Sequence, residues 1–138
     1  MLQLVYRHDY VLGYQIGASI VFYQDVRNRN FLEWLKKKLK FGYIRNRNDG
    51  MSEYTIVGTK PVSQILNLFK PYLRLKRRQV ELALKVIKEM PGSGRKLTPE
   101  KLLRLSKLVD GFSELNYSKR RTNTGKKVEE FLKSKNLL

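Results

Sequence analysis

Residues 43–57 read YIRNRNDGMSEYTIV, and this stretch decides the fold. Its centre, Asn48-Asp49-Gly50, is typical of a tight hairpin turn, because Asn, Asp and Gly accept the left-handed backbone that such turns need. The flanking runs, Tyr43–Arg47 and Ser52–Val57, are rich in residues that favour strands. Since side chains alternate between the two faces of a strand, one face of this predicted hairpin carries Arg45, Arg47, Glu53 and Thr55.

A second hairpin is predicted upstream of the first. Residues 2–7 form a short apolar run, His8-Asp9 is a plausible turn, and residues 14–24 alternate with a period of two. One face of the longer strand is apolar and is expected to meet the core: Tyr14, Ile16, Ala18, Ile20 and Phe22. The opposite face is mixed, as expected of a surface that meets a polar partner: Gln15, Gly17, Ser19, Val21 and Tyr23.

The rest of the chain has helical periodicity. Helices are predicted over residues 30–40, from Lys60, from about Leu73 to Met90, from Thr98 and from about Gly125 to Ser134. The order of these strands and helices along the chain predicts an α+β fold. In this fold, helices pack on one face of an antiparallel sheet made of two hairpins and leave the other face free. A single domain over residues 1–138 is expected, with the hairpins and first helix in 1–58. The helical part, with a basic loop at 117–124, fills 59–138.

Composition points to a polyanionic partner. The 138 residues contain 29 Lys and Arg against 12 Asp and Glu, a net charge of +17. Nucleic acid is the expected partner, because phosphate contacts release counterions and so supply much of the affinity. A membrane surface is not expected, since the basic residues are spread over several elements. The lack of cysteine excludes thiolate zinc sites, and the absence of a signal peptide or long apolar run favours an intracellular protein, in the cytoplasm or an organelle matrix.

The free face of the hairpin at residues 43–57 can read bases. Arg binds guanine with two hydrogen bonds, Glu accepts from cytosine, and the Thr methyl contacts thymine, while Gln15 on the neighbouring hairpin can pair with adenine. The alternative is a solvated face on which Arg and Glu form cross-strand ion pairs. The net charge favours base reading.

Two further basic clusters are expected to contact phosphates. They are Arg74, Lys76, Arg77 and Arg78 near the long helix, and Lys119, Arg120 and Arg121 in a loop with Ser118 and Thr122. The alternative for the loop is a charge run without fixed contacts. The run at 36–40 is interpreted as a solvated helix face.

Several stretches together resemble the LAGLIDADG homing endonucleases, specifically the small algal type with one motif per chain. The resemblance covers nearly the whole chain and rests on the order and spacing of short matches: Gly42–Arg47, Ser52–Ile56, Lys60-Pro61, Pro71–Lys76 with Gln79, Leu115-Asn116 and Ser118–Arg120. It implies an α+β sheet saddle that dimerises and cuts both strands of DNA with a divalent metal.

The resemblance assigns roles position by position. Base-reading positions are matched by Gln15, Arg45, Arg47, Glu53 and Thr55, and backbone-contacting positions by Lys119, Arg120 and Thr122. Arg7, Arg77 and Ser118 complete the expected DNA-binding set. Gln24 matches a residue that positions active-site water, and Lys76 matches a lysine that polarises the active site. The second basic residue of the family falls near Asn28, so Arg27 or Arg29 is the candidate substitute.

The acidic residue that binds metal in this family ends a helix that would precede Met1. We therefore expect no metal site in these residues, and Mg²⁺ only if the motif is supplied upstream or by a partner. Asp25 is a weak candidate to replace that acidic residue as a metal ligand. The leading hypothesis is duplex DNA binding without cleavage by this chain alone. The alternatives are part of an active endonuclease, as a homodimer or with a complementing chain, and a repurposed protein that binds structured RNA such as ribosomal RNA.

Overall fold

The computed structural model describes residues 1–92, 96–115 and 121–138. The four strands are β1 (Leu2–Tyr6), β2 (Tyr14–Asp25), β3 (Tyr43–Asn46) and β4 (Met51–Val57). The helices are α1 (Arg29–Leu39), α2 (Thr59–Phe69), α3 (Arg77–Glu89), α4 (Pro99–Asp110), α5 (Phe112–Leu115) and α6 (Gly125–Ser134). None of the helices in these ranges is long and apolar enough to cross a membrane.

The strands form one sheet in the order β1-β2-β4-β3. β4 pairs antiparallel with β2 on one side and with β3 on the other. The predicted α+β class and antiparallel sheet are therefore confirmed. The chain divides into two compact units: Met1 with Ala18–Phe69, and Leu2–Gly17 with Lys70–Leu138. The extent of the domain stays a prediction.

The core of the first unit forms around β4. Tyr54 and Ile56 are fully buried, together with Leu32 of α1 and Val62 of α2, and Ile65 of α2 is buried as well. The Tyr54 ring stacks on Phe22 with centroids 5.8 Å apart, and its hydroxyl donates to the carbonyl of Phe41. A large aromatic ring removes much apolar surface from water, and the hydroxyl keeps a partner after burial.

Gly42 lets the chain between α1 and β3 approach β4 closely. Its φ is +81°, and a Cβ atom there would lie 2.1 Å from the carbonyl oxygen of Thr55. Only glycine fits both the backbone angle and the space. α1 ends earlier than predicted, since Lys40 already takes a left-handed conformation at φ 64°.

Hydrogen bonds between α1 and the β3–β4 hairpin establish which side of the hairpin the helix covers. Asn46 Oδ1 accepts from Arg29 Nη1 at 2.5 Å and from the hydroxyl of the buried Ser52 at 2.7 Å. Because side chains alternate along a strand, Arg45 and Glu53 point to the opposite side. α1 therefore lies behind the predicted base-reading face.

The second unit is built on α4. Leu102, Leu105 and Val109 are fully buried, as are Val128 and Leu132 of α6. Thr98 caps α4 by accepting from the amide of Lys101, and Thr124 caps α6 in the same way. The predicted starts of both helices are confirmed, because a capping hydroxyl satisfies an amide that has no partner within the helix.

The predicted start of the long helix is wrong. Lys70–Tyr72 form a 3-10 turn around Pro71, and α3 begins only at Arg77. Proline cannot donate a backbone hydrogen bond and breaks the helical pattern. Leu75, which lies within the predicted range of that helix, is 94% exposed, and Lys76 stands just before the first helical turn.

Candidate nucleic-acid interface

The central feature of the β3–β4 hairpin is a carboxylate held between two guanidinium groups. The register places Arg45 opposite Glu53. Arg45 donates from Nε to Glu53 Oε1, and Arg47 Nη1 lies 3.9 Å from Glu53 Oε2. The Glu53 side chain is only 8% exposed, whereas that of Arg45 is 65% exposed. The carboxylate is therefore covered, and the guanidinium groups face outwards.

Arg47 has two further partners. It forms an ion pair with Asp49 at 2.8 Å, and its guanidinium lies 5.8 Å from the ring centroid of Tyr23. Tyr23 and Arg45 both lie opposite Glu53 in the sheet register, so these three residues share one side of the sheet, and Arg47 joins them through its contacts with Glu53 and Tyr23. We call this set the hairpin arginine cluster: Tyr23, Arg45, Arg47, Asp49 and Glu53.

The cluster leaves donors free for a ligand. A guanidinium group has five N–H donors, and Arg45 spends its Nε–H on Glu53. Its two terminal nitrogens can therefore still form the paired contact that recognises guanine O6 and N7. Exposed ion pairs add little stability, so these contacts orient the arginines more than they hold the fold together.

Thr55 lies on the same side of β4 as Glu53, between Val21 and Tyr43 in the sheet register. It is buried, in contrast to the exposed position that the sequence suggested. The alternating pattern places Thr55 on this face of the sheet but does not show how far its side chain is buried.

The second unit brings together Arg7 and Gln15. Arg7 donates to Gln15 Oε1 at 3.4 Å and to both carboxylate oxygens of Asp9, at 3.1 and 2.8 Å. The ion pair fixes the direction of the guanidinium, and Gln15 is exposed beside it. A glutamine amide beside an arginine has donors and acceptors suited to base edges.

The other predicted phosphate-contacting residues are scattered or engaged elsewhere. Lys76 is exposed, and Arg77 pairs with Glu81 one turn along α3 at 3.2 Å. Arg121, predicted with the basic loop, donates inward to the carbonyl of Val109 at 2.9 Å. Thr122 is exposed, whereas Ser118, Lys119 and Arg120 lie outside the described residues.

One residue matched to a catalytic position, Gln24, lies next to a carboxylate that is already paired. Gln24 lies half-buried near the end of β2, opposite Ser52. Next to it, Asp25 accepts from the amide and the Nε of Arg27, both at 2.9 Å, and this hydrogen bonding lowers the pKa of Asp25. Asp25 thus caps a short 3-10 turn and pairs with Arg27. Within the described ranges, no three His, Cys, Asp or Glu side chains are grouped to hold a metal ion.

The two candidates for the second basic catalytic residue, Arg27 and Arg29, have different surroundings. Arg27 is 86% exposed and pairs with Asp25, so it remains available at the surface. Arg29 bonds to Asn46 and to Glu33, at 2.5 and 3.1 Å, and so holds the hairpin against α1. The sequence carries no local signal for this tertiary contact.

Sequence reasoning did not assign a binding role to Tyr23 or Asp49. Tyr23 could have been found, because it falls on the same alternating face of β2 as Gln15. Asp49 was interpreted only as a turn residue.

Comparisons with known proteins agree with this architecture. The family described as LAGLIDADG endonuclease matches residues 3–87. DNA endonuclease I-CvuI of Chlorella vulgaris is 37% identical over 131 residues, covering 95% of this chain and 80% of that protein. DNA endonuclease I-CreI of Chlamydomonas reinhardtii is 32% identical over 132 residues, covering 96% of this chain and 79% of that protein.

Solved structures show the same fold. A crystal structure of I-CvuI with its target in the presence of calcium superposes with a TM-score of 0.88 at 37% identity, over 96% of this chain and 83% of that one. The archaeal endonuclease I-Vdi141I, complexed with DNA, superposes with a TM-score of 0.83 at 19% identity, over 99% and 87%. The chain belongs to the LAGLIDADG endonuclease family.

Proposed function

We propose that this chain binds double-stranded DNA and that the β3–β4 hairpin reads base edges in the major groove. The observation that carries the proposal is the hairpin arginine cluster, in which Glu53 and Tyr23 orient two exposed guanidinium groups. A two-stranded ribbon fits the major groove, and oriented arginines suit guanine. The relative I-CvuI was crystallised in complex with its target, which supports the same kind of partner here.

Phosphate contacts supply the rest of the proposed affinity. The net charge of +17 is large for 138 residues and favours any nucleic acid. Gln15 is proposed to read a base next to Arg7. The residues proposed to contact the DNA backbone are Arg7, Lys76, Arg77, Ser118, Lys119, Arg120 and Thr122.

Selection from a pool of randomised duplexes tests base reading. The wild-type protein is expected to enrich sites with guanines at fixed positions. Arg45→Gln/Arg47→Gln should bind the selected duplex about 100-fold more weakly, since each paired contact is worth roughly 1–3 kcal/mol. Lys85→Gln/Lys88→Gln, on the exposed side of α3, removes the same charge and serves as the control. Enrichment of the same sites by the hairpin variant would refute base reading by the cluster.

We also propose that the residues described here bind DNA without cutting it. Hydrolysis in this family type needs a carboxylate-bound metal, and Asp25 is occupied by Arg27. Mg²⁺ would then be held by an acidic motif on a further segment or a partner chain, in a homodimer or a mixed assembly. Cleavage of the selected duplex by this chain alone in Mg²⁺ would contradict the proposal, and restored cutting on adding a peptide with the motif would support it.

Structured RNA, such as ribosomal RNA, is the second candidate partner, since charge alone does not separate the two nucleic acids. A β-ribbon fits the B-form major groove better than the deep, narrow groove of RNA. Duplex DNA is therefore expected to displace structured RNA at physiological salt, and the reverse result would favour the RNA-binding role. Either partner agrees with the proposed intracellular location, in the cytoplasm or an organelle matrix.

A further inference from the structure

The two arginines of the hairpin arginine cluster stand near the end of a strand that the core holds at its start. β3 lies at the edge of the sheet, with β4 as its neighbour. Within β3, Ile44 is half-buried, whereas Arg45 and Asn46 are exposed. Apolar packing therefore acts at the start of the strand, and its end needs other contacts. Two-stranded ribbons twist more than wider sheets do, and a change of twist would swing both guanidinium groups together.

A polar network on the opposite side of the hairpin holds this end of β3. Asn46 Oδ1 accepts from two donors, the hydroxyl of Ser52 at 2.7 Å and Arg29 Nη1 at 2.5 Å. Ser52 is fully buried and lies directly opposite Asn46 in the β3–β4 register. Arg29 is the first residue of α1, and its Nε donates to Glu33 one turn along the helix. Asn46 is thus fixed both to the neighbouring strand and to a helix outside the hairpin.

The turn of the hairpin is tied to the same part of the chain. Val26 lies three residues before Arg29, and its amide donates to the carbonyl of Gly50 at 2.9 Å. The hairpin is therefore held from behind at two points, its turn and Asn46. Contacts at two points resist both a rotation of β3 and a bending of the turn.

Side-chain alternation connects this network to the guanidinium groups. Asn46 is the residue between Arg45 and Arg47, and its side chain points to the other side of the strand. A turn of Asn46 toward or away from α1 would swing the two arginines in the reverse direction. Glu53 and Tyr23 hold the guanidinium groups from the front, whereas the network holds their backbone from behind.

We propose that Asn46, with its donors Ser52 and Arg29, is a positioning residue for base reading by the hairpin arginine cluster. The inference rests on the proposed function and adds to it residues that touch no base. An arginine that is already oriented loses less freedom on binding, and only an oriented guanidinium meets O6 and N7 of guanine at once. Loss of the network should lower discrimination between bases more than stability, because one hydrogen bond adds little net stability.

A pair of substitutions tests the side-chain oxygen of Asn46. Asn46→Leu keeps the size of the side chain and removes the acceptor, whereas Asn46→Asp keeps an acceptor for both donors. The measurement is the affinity for the selected duplex divided by the affinity for the same duplex with 7-deazaguanine, which lacks N7, at every guanine. This ratio should fall about five-fold in Asn46→Leu and stay within about two-fold of the wild-type value in Asn46→Asp. The added charge of Asp weakens binding to both duplexes alike, so it cancels in the ratio.

A double-mutant cycle separates positioning from a direct contact with DNA. In the Arg45→Gln/Arg47→Gln protein, Asn46→Leu should change the ratio less than about two-fold, because the groups that Asn46 positions are gone. An equal fall in the ratio with and without the two arginines would show that Asn46 reads a base itself, which is contrary to the proposal.

Two buried serines provide the control for a purely structural effect. Ser52→Ala removes one donor to Asn46 and should lower the ratio about two-fold. Ser106→Ala removes a fully buried hydroxyl of α4 that donates to the carbonyl of Leu102 at 2.7 Å. It should lower the unfolding temperature about as much as Ser52→Ala does and leave the ratio unchanged. A ratio that simply followed the unfolding temperature across all the variants would overturn the proposal.

A measurement without DNA examines the arginines directly. Arg45 Nε donates to Glu53, so its hydrogen should exchange slowly with water. NMR should detect several-fold faster exchange in Asn46→Leu and unchanged exchange in Asn46→Asp, and unchanged exchange in both would contradict the positioning role. A wild-type ratio of one would refute base reading itself, and with it this inference. A wild-type ratio well above one that Asn46→Leu leaves unchanged would refute the inference alone.

Discussion

The hairpin arginine cluster and the lysines of α1 are both basic, but they hold their charges differently. On the hairpin, Glu53, Asp49 and Tyr23 fix two guanidinium groups. On α1, the lysines are Lys36, Lys37, Lys38 and Lys40, and no described carboxylate pairs with their ammonium groups. Planar, oriented arginines suit recognition of particular base edges, whereas flexible lysines suit any phosphate chain. The difference predicts that the hairpin arginines distinguish base sequences and that the α1 lysines do not.

The largest effect is expected from breaking the framework that both groups of basic residues share. Gly42→Ala should destabilise the first unit by about 3 kcal/mol or more, because the new Cβ would meet the Thr55 carbonyl oxygen at a left-handed backbone angle. Gly50→Ala is the matched control, with φ +78° but open space around it, and should cost about 1 kcal/mol. Urea unfolding measures both. Equal losses would contradict the close approach of the chain at Gly42.

A charge-conserving exchange sharpens the comparison. Arg47→Lys should weaken binding to the selected duplex about ten-fold, because lysine keeps the charge but cannot make the paired contact. Lys37→Arg on α1 should change binding to the same duplex less than two-fold. Anisotropy titrations with that duplex compare the variants. Equal changes in affinity for Arg47→Lys and Lys37→Arg would contradict this difference between the hairpin and α1.

A smaller effect is expected from freeing the arginines. Glu53→Gln removes the buried carboxylate that orients Arg45 and Arg47 while keeping the size of the side chain. Affinity for unselected duplexes should rise a few-fold through the added net charge, while preference for the selected duplex falls about five-fold. The ratio of the two affinities is the measurement. An unchanged ratio would show that Glu53 does not position the arginines.

The smallest effect is expected at the end of β2. Hydrogen bonds from Arg27 hold the pKa of Asp25 below its usual value, so Arg27→Gln should raise that pKa. Because the pKa is lowered in the folded protein, the stabilisation is present at neutral pH and is lost as the pH falls through the folded pKa. An NMR titration of the Asp25 carboxyl measures the shift. Duplex affinity should change less than two-fold, whereas a large loss would give Arg27 a direct role in binding.

Much of the sheet could be predicted because its signals are local. Alternation along 14–24 and the Asn48-Asp49-Gly50 turn indicate the strands, and Thr98 before Pro99 indicates the start of α4. The predicted start of α3 was wrong because the apolar spacing around Leu75 is not matched by burial: Leu75 is almost fully exposed, and the helix begins at Arg77.

The candidate site was only partly predictable, because some of its contacts join residues that are distant in the sequence. Arg45, Arg47 and Glu53 share a face by simple alternation, so their proximity follows from the sequence. The ring of Tyr23 beneath Arg47, and the bond from Arg29 to Asn46, depend on the pairing of distant segments. Such tertiary contacts decide which arginines point outward and which hold the fold.

The most direct test of the central claim is to remove one acceptor from the DNA. Each guanine of the selected duplex is replaced in turn by 7-deazaguanine, which lacks the N7 acceptor that a paired arginine contact needs. The wild-type protein should lose about ten-fold in affinity at one or two positions, and Arg45→Gln/Arg47→Gln should lose nothing further there. Wild-type affinity that is indifferent to every replacement would contradict base reading by the hairpin arginine cluster.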